Sequence, residues 1–442
     1  MNKRSSTALA IVSCLLMVGF LNAQEKRPIS LNEAISLSLN NSKQLKNSQA
    51  KIEEATAALK EAVEKKLPDA KISGSWLWLS NANIDVKSKT GGNSNQGGSP
   101  DVSQAMYGIL NASLPIYSGG RIRYGIESSR YLAEATKLDA DNDRQEVIQN
   151  TVEAYINLYK AKSSVNLVRE NLGEAQQRVK DFSNLEKNGL LARNDLLKAQ
   201  LQASNVELAL LDAENNWQLA NINMNLLLGL PDKTQLTPDS IVIDQPFSLK
   251  TLDEYVQTAY AQRKDVASLG LRKKAAETSV KATRGDLYPS IALTGGYIAA
   301  DIPKVLTVTN AVTLGAGVSY NIGSLWKTKS KVQQAEARAK QTAIAESVLS
   351  DNVRLEVSQA YLNFLSYQKK IDVYTKAMEQ ATENYKIILN KYNNSLATTT
   401  DLLDADVARL QARMNFVFSQ ADAVVAYNKL LQSTGLLEGS LK

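Results

Sequence analysis

Apolar residues recur in alternating steps of four and three along two long stretches of this chain. In the first stretch these positions are Val147, Thr151, Ala154, Leu158, Ala161, Val165, Val168, Leu172, Ala175, Val179 and Phe182. In the second they are Val353, Val357, Ala360, Phe364, Tyr367, Ile371, Tyr374, Met378, Ala381, Tyr385 and Ile388. A seven-residue period of this length predicts coiled-coil packing, because it keeps one helix face against its partner. No proline lies between Pro115 and Pro231 or after Pro303, which also favours long helices.

A shorter apolar stripe follows each long one and predicts a helix that returns along it. The first stripe consists of Leu196, Ala199, Ala203, Val206, Leu210, Ala213 and Trp217, and the second of Leu403, Val407, Leu410, Met414 and Val417. A helix from about Arg121 to Lys187 would be roughly 100 Å long at 1.5 Å per residue. We therefore expect two slender antiparallel helical hairpins.

The two hairpins belong to an internal repeat. The sequences NGLLARNDLL and NSLATTTDLLDA join each long stretch to its return stripe, and the second is displaced from the first by 206 positions. The copies align without a gap from about Met106 to Leu230, whereas the related Pro68 and Pro289 are 221 positions apart. The difference indicates 15 extra residues in the Gly-, Asn- and Ser-rich stretch from Asn81 to Gln104, which marks an exposed loop.

Each copy also contains two segments in which apolar residues alternate with small or polar ones. We place these strands at about residues 70–80 and 105–116 in the first copy, and at about 290–300 and 311–322 in the second. Such alternation is typical of transmembrane barrel strands, although a half-buried soluble sheet has the same period. In a membrane the strands must close into a barrel, and the smallest barrels have about eight strands. Four strands per chain therefore predict an oligomer, but the residues alone do not fix the number of copies.

The N-terminus reads as a signal peptide. Lys3 and Arg4 precede an apolar run that ends at a small-residue cleavage site before Gln24. Lipidation of Cys14 is the alternative, but this cysteine lies in the middle of the apolar run and not at its end. We divide the chain into residues 1–23 (signal peptide), 24–230 (first repeat, tip turn at about 187–195), 231–249 (linker), 250–437 (second repeat, tip turn at about 392–401) and 438–442 (tail).

The composition excludes several kinds of active site. The chain has no histidine, and Cys14 is its only cysteine, so histidine bases, thiol nucleophiles and the usual zinc sites are excluded from the mature chain. No Gly-rich phosphate loop or GxSxG elbow is present. The formal charge of +6 becomes +4 without Lys3 and Arg4, and the interleaved acids and bases give no support for nucleic-acid binding. We expect a protein that is not an enzyme and that needs no cofactor or metal.

With its duplicated helix–strand–strand–long helix–helix plan and its two tip turns, the chain resembles the TolC-like outer membrane factors from about Ile29 to Leu437. These are the exit ducts of tripartite efflux pumps and type I secretion systems. The resemblance implies a mixed α/β membrane protein in which three chains form one β-barrel, with four strands each, above a long α-helical coiled-coil tunnel. It places the protein in the bacterial outer membrane with a large periplasmic portion, and the linker at the tunnel equator. It also implies a periplasmic adaptor, an inner-membrane transporter of the RND or ABC type, and a passive channel gated at its periplasmic tip.

The resemblance also assigns gate residues. In that family a tyrosine before the second tip turn and two aspartates after it help to close the aperture, and Tyr392, Asp401 and Asp404 match them. Threefold symmetry would make each aspartate a carboxylate ring able to bind cations. Asp195 matches the partner of a family arginine, but Ala397 stands in that arginine's place, a departure from the family. Helix capping is the alternative role of both Asp195 and Asp401, and we favour it for Asp195.

The tips themselves are candidate docking surfaces. Their small and aliphatic side chains would allow close contact with an adaptor's helical hairpin, or they would only hold the turn together. They are Gly189, Leu190, Leu191, Ala192, Ser395, Leu396 and Ala397. Asn188–Gly189 suits the left-handed backbone of a tight helix exit, and Asn394 suits it less well.

The sequence leaves two other functions to consider. A secreted coiled-coil scaffold or adhesin without a pore explains the heptads and export, but not the strand pairs at equivalent positions of the repeat. A periplasmic hydrolase that uses only carboxylates lacks a recognisable site.

Overall fold

The computed structural model describes residues 26–82, 102–239, 249–303 and 306–437. The predicted signal peptide with Cys14, most of the predicted loop between the first two strands, part of the predicted linker and the predicted tail lie outside the described residues.

The elements form two similar sets. The first set consists of β1 (Lys26–Ile29), α1 (Leu31–Asn41), α2 (Lys43–Glu64), β2 (Asp69–Ala82), β3 (Val102–Tyr117), α3 (Arg121–Lys187) and α4 (Arg193–Leu228). The second consists of β4 (Gln235–Pro238), α5 (Leu252–Gln262), α6 (Lys264–Arg284), a 3-10 turn (Gly285–Leu287), β5 (Ser290–Ile302), β6 (Leu306–Ser319), α7 (Ser324–Asn393) and α8 (Thr399–Ser433). The duplicated plan and the mixed α/β class predicted from the sequence are confirmed.

The described chain divides into two compact units. The first unit contains the residues up to Ser48, Ala140–Lys264 and the residues from Ser350. A core cluster of this unit is built from apolar residues of α3, α4 and α8 together with β1, α1 and β4. The strands β1 and β4 form a parallel pair, which the sequence analysis did not predict. The Tyr155 hydroxyl donates to the Ile29 carbonyl, and it accepts a hydrogen bond from the Asp239 amide at 3.0 Å.

The predicted stripes of α3 and α7 are both buried or half-buried along their length. On α8 the prediction was wrong at Val407, which is 47% exposed. The buried face there is rotated toward Leu402, Ala405 and Asp406, because Asp406 contacts arginines inside the unit. On α4 a second set of large apolar side chains is exposed: Leu197, Leu201, Leu208, Leu211, Leu219, Ile222 and Leu226. We call this set the outer stripe.

The second unit contains a four-stranded antiparallel sheet in the order β2–β3–β5–β6. Its register aligns the apolar positions of all four strands. Ile72 is opposite Leu110, which is opposite Tyr297, which is opposite Val312. Residues directly opposite one another share a sheet face, and alternate residues of one strand share it too. One face is therefore apolar and exposed, with Leu314 87% exposed, and the other carries Lys71, Asn111, Gly296 and Thr313.

The last strand occupies different residues from those that the alternation indicated. It runs over Leu306–Ser319, whereas we placed it at about 311–322. Asn310 adopts a φ of 57° beside a register shift in the pairing with β5, so the strict alternation starts only after it. At the other end, the Gly323 amide donates to Asn321 Oδ1 and α7 begins at Ser324.

The sheet joins the helices of the second unit through two glycines. Gly119 has a φ of 62°, and a Cβ on it would lie 2.3 Å from the Gly285 carbonyl oxygen. A Cβ on Gly285 would lie 2.8 Å from the Gly119 oxygen. An ion pair of 3.1 Å between Arg121 Nη1 and Asp286 Oδ1 lies next to this contact. The two backbones therefore approach more closely than side chains would allow.

Within the described ranges, no helix combines the length and the apolar character needed to cross a bilayer.

Candidate functional site

The two helical hairpins end in turns of the same geometry. Gly189 and Ser395, which are equivalent in the repeat, adopt φ values of 71° and 61°. In each turn the next amide donates back to a carbonyl five residues earlier, from Leu190 to Leu185 and from Leu396 to Lys391, both at 2.8 Å. This is the Schellman arrangement, which ends a helix through one left-handed residue. The left-handed residue of the second turn is thus Ser395 and not Asn394, whose side chain donates to the Asn390 carbonyl instead.

The Ser395→Gly variant is expected to raise the stability of the first unit by about 1 kcal/mol, since a non-glycine residue in the left-handed region costs about that much. The Gly189→Ala variant is expected to lower it by a similar amount. The thermal midpoint of the helical circular dichroism signal measures both effects. Ser204→Gly is the matched control, because Ser204 is exposed in the middle of α4, and there glycine weakens the helix. A lower midpoint for Ser395→Gly would contradict this account.

The two tips pack against each other within the chain. The rings of Phe182 and Tyr392 stack with centroids 5.6 Å apart. Leu196, Ala199 and Leu402 complete the buried cluster around them. The aromatic body of Tyr392 is therefore half-buried between the hairpins.

The predicted docking residues remain at the surface. Leu190 and Leu396 are 75% and 76% exposed, although both are large and apolar. Gly189, Ala192 and Ser395 are exposed too. Leu191 and Ala397 are half-buried, and Leu191 packs against the cluster around Phe182.

The predicted gate aspartates of the second tip are both exposed on the first turns of α8. Asp401 Oδ2 accepts hydrogen bonds from the Thr398 amide at 2.9 Å and the Thr398 hydroxyl at 2.7 Å. These bonds hold the pKa of the Asp401 carboxyl below its usual value. The Asp404 carboxylate forms no hydrogen bond or ion pair with the residues that the structure describes. Asp401 thus completes a capping box with the N-cap residue Thr398 and still presents a negative charge beside Asp404.

The first tip differs from the expected capping. Ala192 occupies the N-cap of α4 and has no side-chain oxygen, so no capping box forms. Asp195 lies in the first turn, and its carboxylate contacts Lys198 Nζ at 3.4 Å. The same Lys198 Nζ donates to Thr400 Oγ1 at 3.2 Å. Lys198 therefore links Asp195 to the second hairpin.

A buried charge cluster above the tips was missed from the sequence. Asp406 is 3% exposed, and its carboxylate contacts Arg178 Nη1 at 2.9 Å and Arg409 Nη2 at 2.8 Å. Glu174 is the second partner of Arg409. Arg178 Nη2 donates to the Tyr385 hydroxyl at 3.1 Å, and the Arg409 guanidinium lies 3.9 Å from the centre of that ring.

This cluster joins α3, α7 and α8. Burial opposes the charges of Arg178 and Arg409, yet the neighbouring carboxylates leave the pKa of both arginines above its usual value. The sequence does carry a signal for it. Asp406 follows Leu402 by four positions and precedes Arg409 by three, the spacing of a buried helix face.

The described residues contain no group of three or more acidic, histidine or cysteine side chains that could hold a metal ion. The tip region consists of packed helices, exposed leucines and carboxylates, an arrangement that suits contact with a partner and interaction with passing ions.

Comparisons with known proteins find matches over most of the chain. A family model described as Outer membrane efflux protein matches residues 34–230 and 255–436. The chain is similar to Outer membrane efflux protein BepC of Brucella suis biovar 1 (strain 1330), with 24% identity over 323 residues, 72% of this chain and 70% of that protein. It is also similar to Cation efflux system protein CusC of Escherichia coli (strain K12), with 22% identity over 397 residues, 87% of this chain and 81% of that protein.

Solved structures share the fold. A crystal structure of CusC superposes with a TM-score of 0.78 at 20% identity and covers 92% of both chains. The outer membrane protein VceC from Vibrio cholerae superposes with a TM-score of 0.77 at 19% identity, over 92% of this chain and 96% of that one.

Proposed function

Because this chain belongs to the outer membrane efflux protein family, we propose that three copies of it form the exit duct of a tripartite efflux pump or type I secretion system. The chain is an outer-membrane channel protein. We infer that it conducts passively, with the energy supplied by an inner-membrane transporter of the RND or ABC type. A secreted scaffold or adhesin would have no use for a sheet with an exposed apolar face.

The sheet is the observation that carries this proposal. Its outer strands β2 and β6 each have one edge without a partner among the described residues. A bilayer offers no hydrogen bonds to such edges, so strands in it must close into a barrel. Three four-stranded panels give a barrel of twelve strands, within the known range. The outer stripe of α4 also supports association, because its leucines would be covered by a neighbouring subunit.

Single-channel recording tests this function. Oligomers extracted from the outer membrane in detergent and reconstituted into planar bilayers should conduct in discrete steps. Their mass should correspond to three chains. A stable monomer, or an oligomer without conductance, would contradict the proposal and favour a scaffold.

We propose that Asp401, Asp404 and Tyr392 form the gate, with Asp195 as a support. Threefold symmetry would bring six carboxylates to the mouth, where they would attract cations. The lowered pKa of Asp401 keeps its charge present at more acidic pH than usual. Asp195 would act through Lys198, which supplies a cation for the second hairpin although Ala397 has none.

The Asp401→Ala plus Asp404→Ala variant is expected to weaken block of the channel by divalent cations at least about tenfold, because two carboxylate rings are lost. Conductance measured against added magnesium gives the block constant. Asp141→Ala plus Asp212→Ala is the control with the same change of charge, since both residues are exposed on the first hairpin away from its tip. Equal block in both variants would remove the two rings from the mechanism.

We also propose that the exposed tips dock a periplasmic adaptor. Leu190 and Leu396 supply apolar area, and Gly189, Ala192, Ser395 and the half-buried Leu191 and Ala397 leave room for a helix end. Cysteines placed at Leu190 or Ser395 should form crosslinks to a co-expressed adaptor. A cysteine at the exposed Glu207, which lies on α4 away from the tip, is the control and should not. No crosslink at any tip position would contradict docking there.

A further inference from the structure

The helix ends beside the sheet carry a surplus of positive charge. Four segments adjoin the strands at the end of the sheet where β2 and β5 begin and β3 and β6 finish. They are residues 64–68, 118–125, 281–289 and 320–331. Nine of their residues are basic and two are acidic, and all nine basic side chains are exposed. We call these nine basic residues the basic collar. These segments are therefore far more basic than the whole chain, in which 51 basic residues face 45 acidic ones.

The chain itself neutralises little of this charge. Four collar residues form ion pairs at the surface. Two of the four share one partner, since Asp286 pairs with Arg121 at 3.1 Å and with Lys331 at 3.6 Å. Exposed pairs of this kind contribute little and leave the local field positive. Five collar residues have no ion pair with any residue that the structure describes: Lys66, Arg123, Lys281, Lys327 and Lys329.

A hollow of about 450 Å³ opens at the same level in the second unit. Its lining residues include the basic Lys65 and Arg121 and the largely apolar Tyr117, Ile122 and Ile291. Tyr117 and Ile291 are partners in the register, and Ile291 belongs to the apolar face of the sheet. The hollow therefore lies at the end of the sheet, where Tyr117 and Ile291 connect it to the apolar face.

We propose that the basic collar binds anionic phospholipids of the periplasm-facing leaflet, and that the hollow seats one of them. Its phosphate would lie between Lys65 and Arg121, and an acyl chain would follow Tyr117 and Ile291 toward the membrane core. Cations near a bilayer surface are attracted to anionic headgroups. The exposed rings of Tyr288 and Trp326 at this level suit the headgroup region as well. This inference rests on the proposed membrane position of the sheet.

Native mass spectrometry of full-length oligomers tests the inference. The oligomers are reconstituted in vesicles of phosphatidylethanolamine and phosphatidylglycerol and then released in detergent. The unaltered protein should retain phosphatidylglycerol in preference to phosphatidylethanolamine, and less so at high salt. Lys65→Gln plus Arg121→Gln should lower that preference at least about fivefold. Gly125→Leu should also lower retention without a change of charge, because Gly125 lines the hollow and a Cβ there meets nothing within 4 Å.

Lys376→Gln plus Lys391→Gln is the control with the same change of charge. Both lysines are exposed on α7, in the part of that helix that belongs to the first unit. This control should retain lipid as the unaltered protein does. Lys65→Gln alone keeps the ion pair of Arg121 and serves if the double variant does not assemble. Equal retention of the two lipids, or equal retention by the hollow variants and the control, would overturn the inference. The inference would also be overturned if the hollow variants lost binding to isolated cell wall but retained phosphatidylglycerol as the unaltered protein does. Oligomers that conduct but show no lipid preference would overturn this inference alone and leave the channel function intact.

Discussion

The Asp406→Ala variant is expected to lose about 3–5 kcal/mol of stability, because it leaves the buried Arg178 without its carboxylate and the half-buried Arg409 with Glu174 alone. Arg178 and Arg409 both contact Asp406 inside the first unit, and Arg178 is 9% exposed. The loss should appear as a lower thermal midpoint of the helical signal and as faster proteolysis near the tips. Asp404→Ala is the matched control, since this aspartate lies two residues away and is exposed.

A second variant separates lost charge pairing from lost packing. Replacement of a whole buried ion pair by apolar residues of similar size is often neutral or stabilising. Arg178→Met plus Asp406→Leu should therefore recover most of the stability, with Arg409 still paired to Glu174. A loss below about 1 kcal/mol for Asp406→Ala would show that the cluster is not desolvated as the structure indicates.

The Gly119→Ala variant is expected to cost about 3 kcal/mol or more. The left-handed backbone at this position penalises any other residue by about 1–2 kcal/mol, and the new methyl group would overlap the Gly285 carbonyl. Backbone on both sides would have to move, and with it the entry from β3 into α3. The yield of assembled oligomer in the membrane fraction and its thermal midpoint measure the effect.

Gly125→Ala, on the first turns of α3, provides the comparison. A Cβ at Gly125 meets no atom within 4 Å, so the alanine should be neutral or slightly stabilising. If both variants had the same stability and yield, the close approach of the Gly119 and Gly285 backbones would not be what makes glycine necessary at position 119.

Much of the fold could be predicted because its signals are periodic and repeated. The heptads of α3 and α7, the offset of 206 positions and the alternation in the strands each specify a local structure, and the duplication supplies each of them twice. The equivalent turns at Gly189 and Ser395 could be located by their repeat position. Ser395 itself could not be singled out, because asparagine is the more usual left-handed residue.

Features that depend on contacts between distant segments could not be predicted. The strands β1 and β4 have four residues each, too few to show a period, and they pair across about 200 positions. The pairing of Asp406 with Arg178 depends on how α8 is rotated against α3. The link from Lys198 to Thr400 depends on the alignment of two hairpin tips. No single-helix pattern encodes such alignments.

In the proposed trimer, the outer stripe of α4 would tie folding to subunit concentration. A lone chain leaves seven large aliphatic side chains exposed along one helix, so its folded state would lack the stabilisation that neighbouring copies supply in that trimer. The midpoint of unfolding should therefore rise with protein concentration, by mass action. In the cell, newly exported chains at low abundance would be substrates for periplasmic chaperones and proteases until enough copies accumulate to assemble.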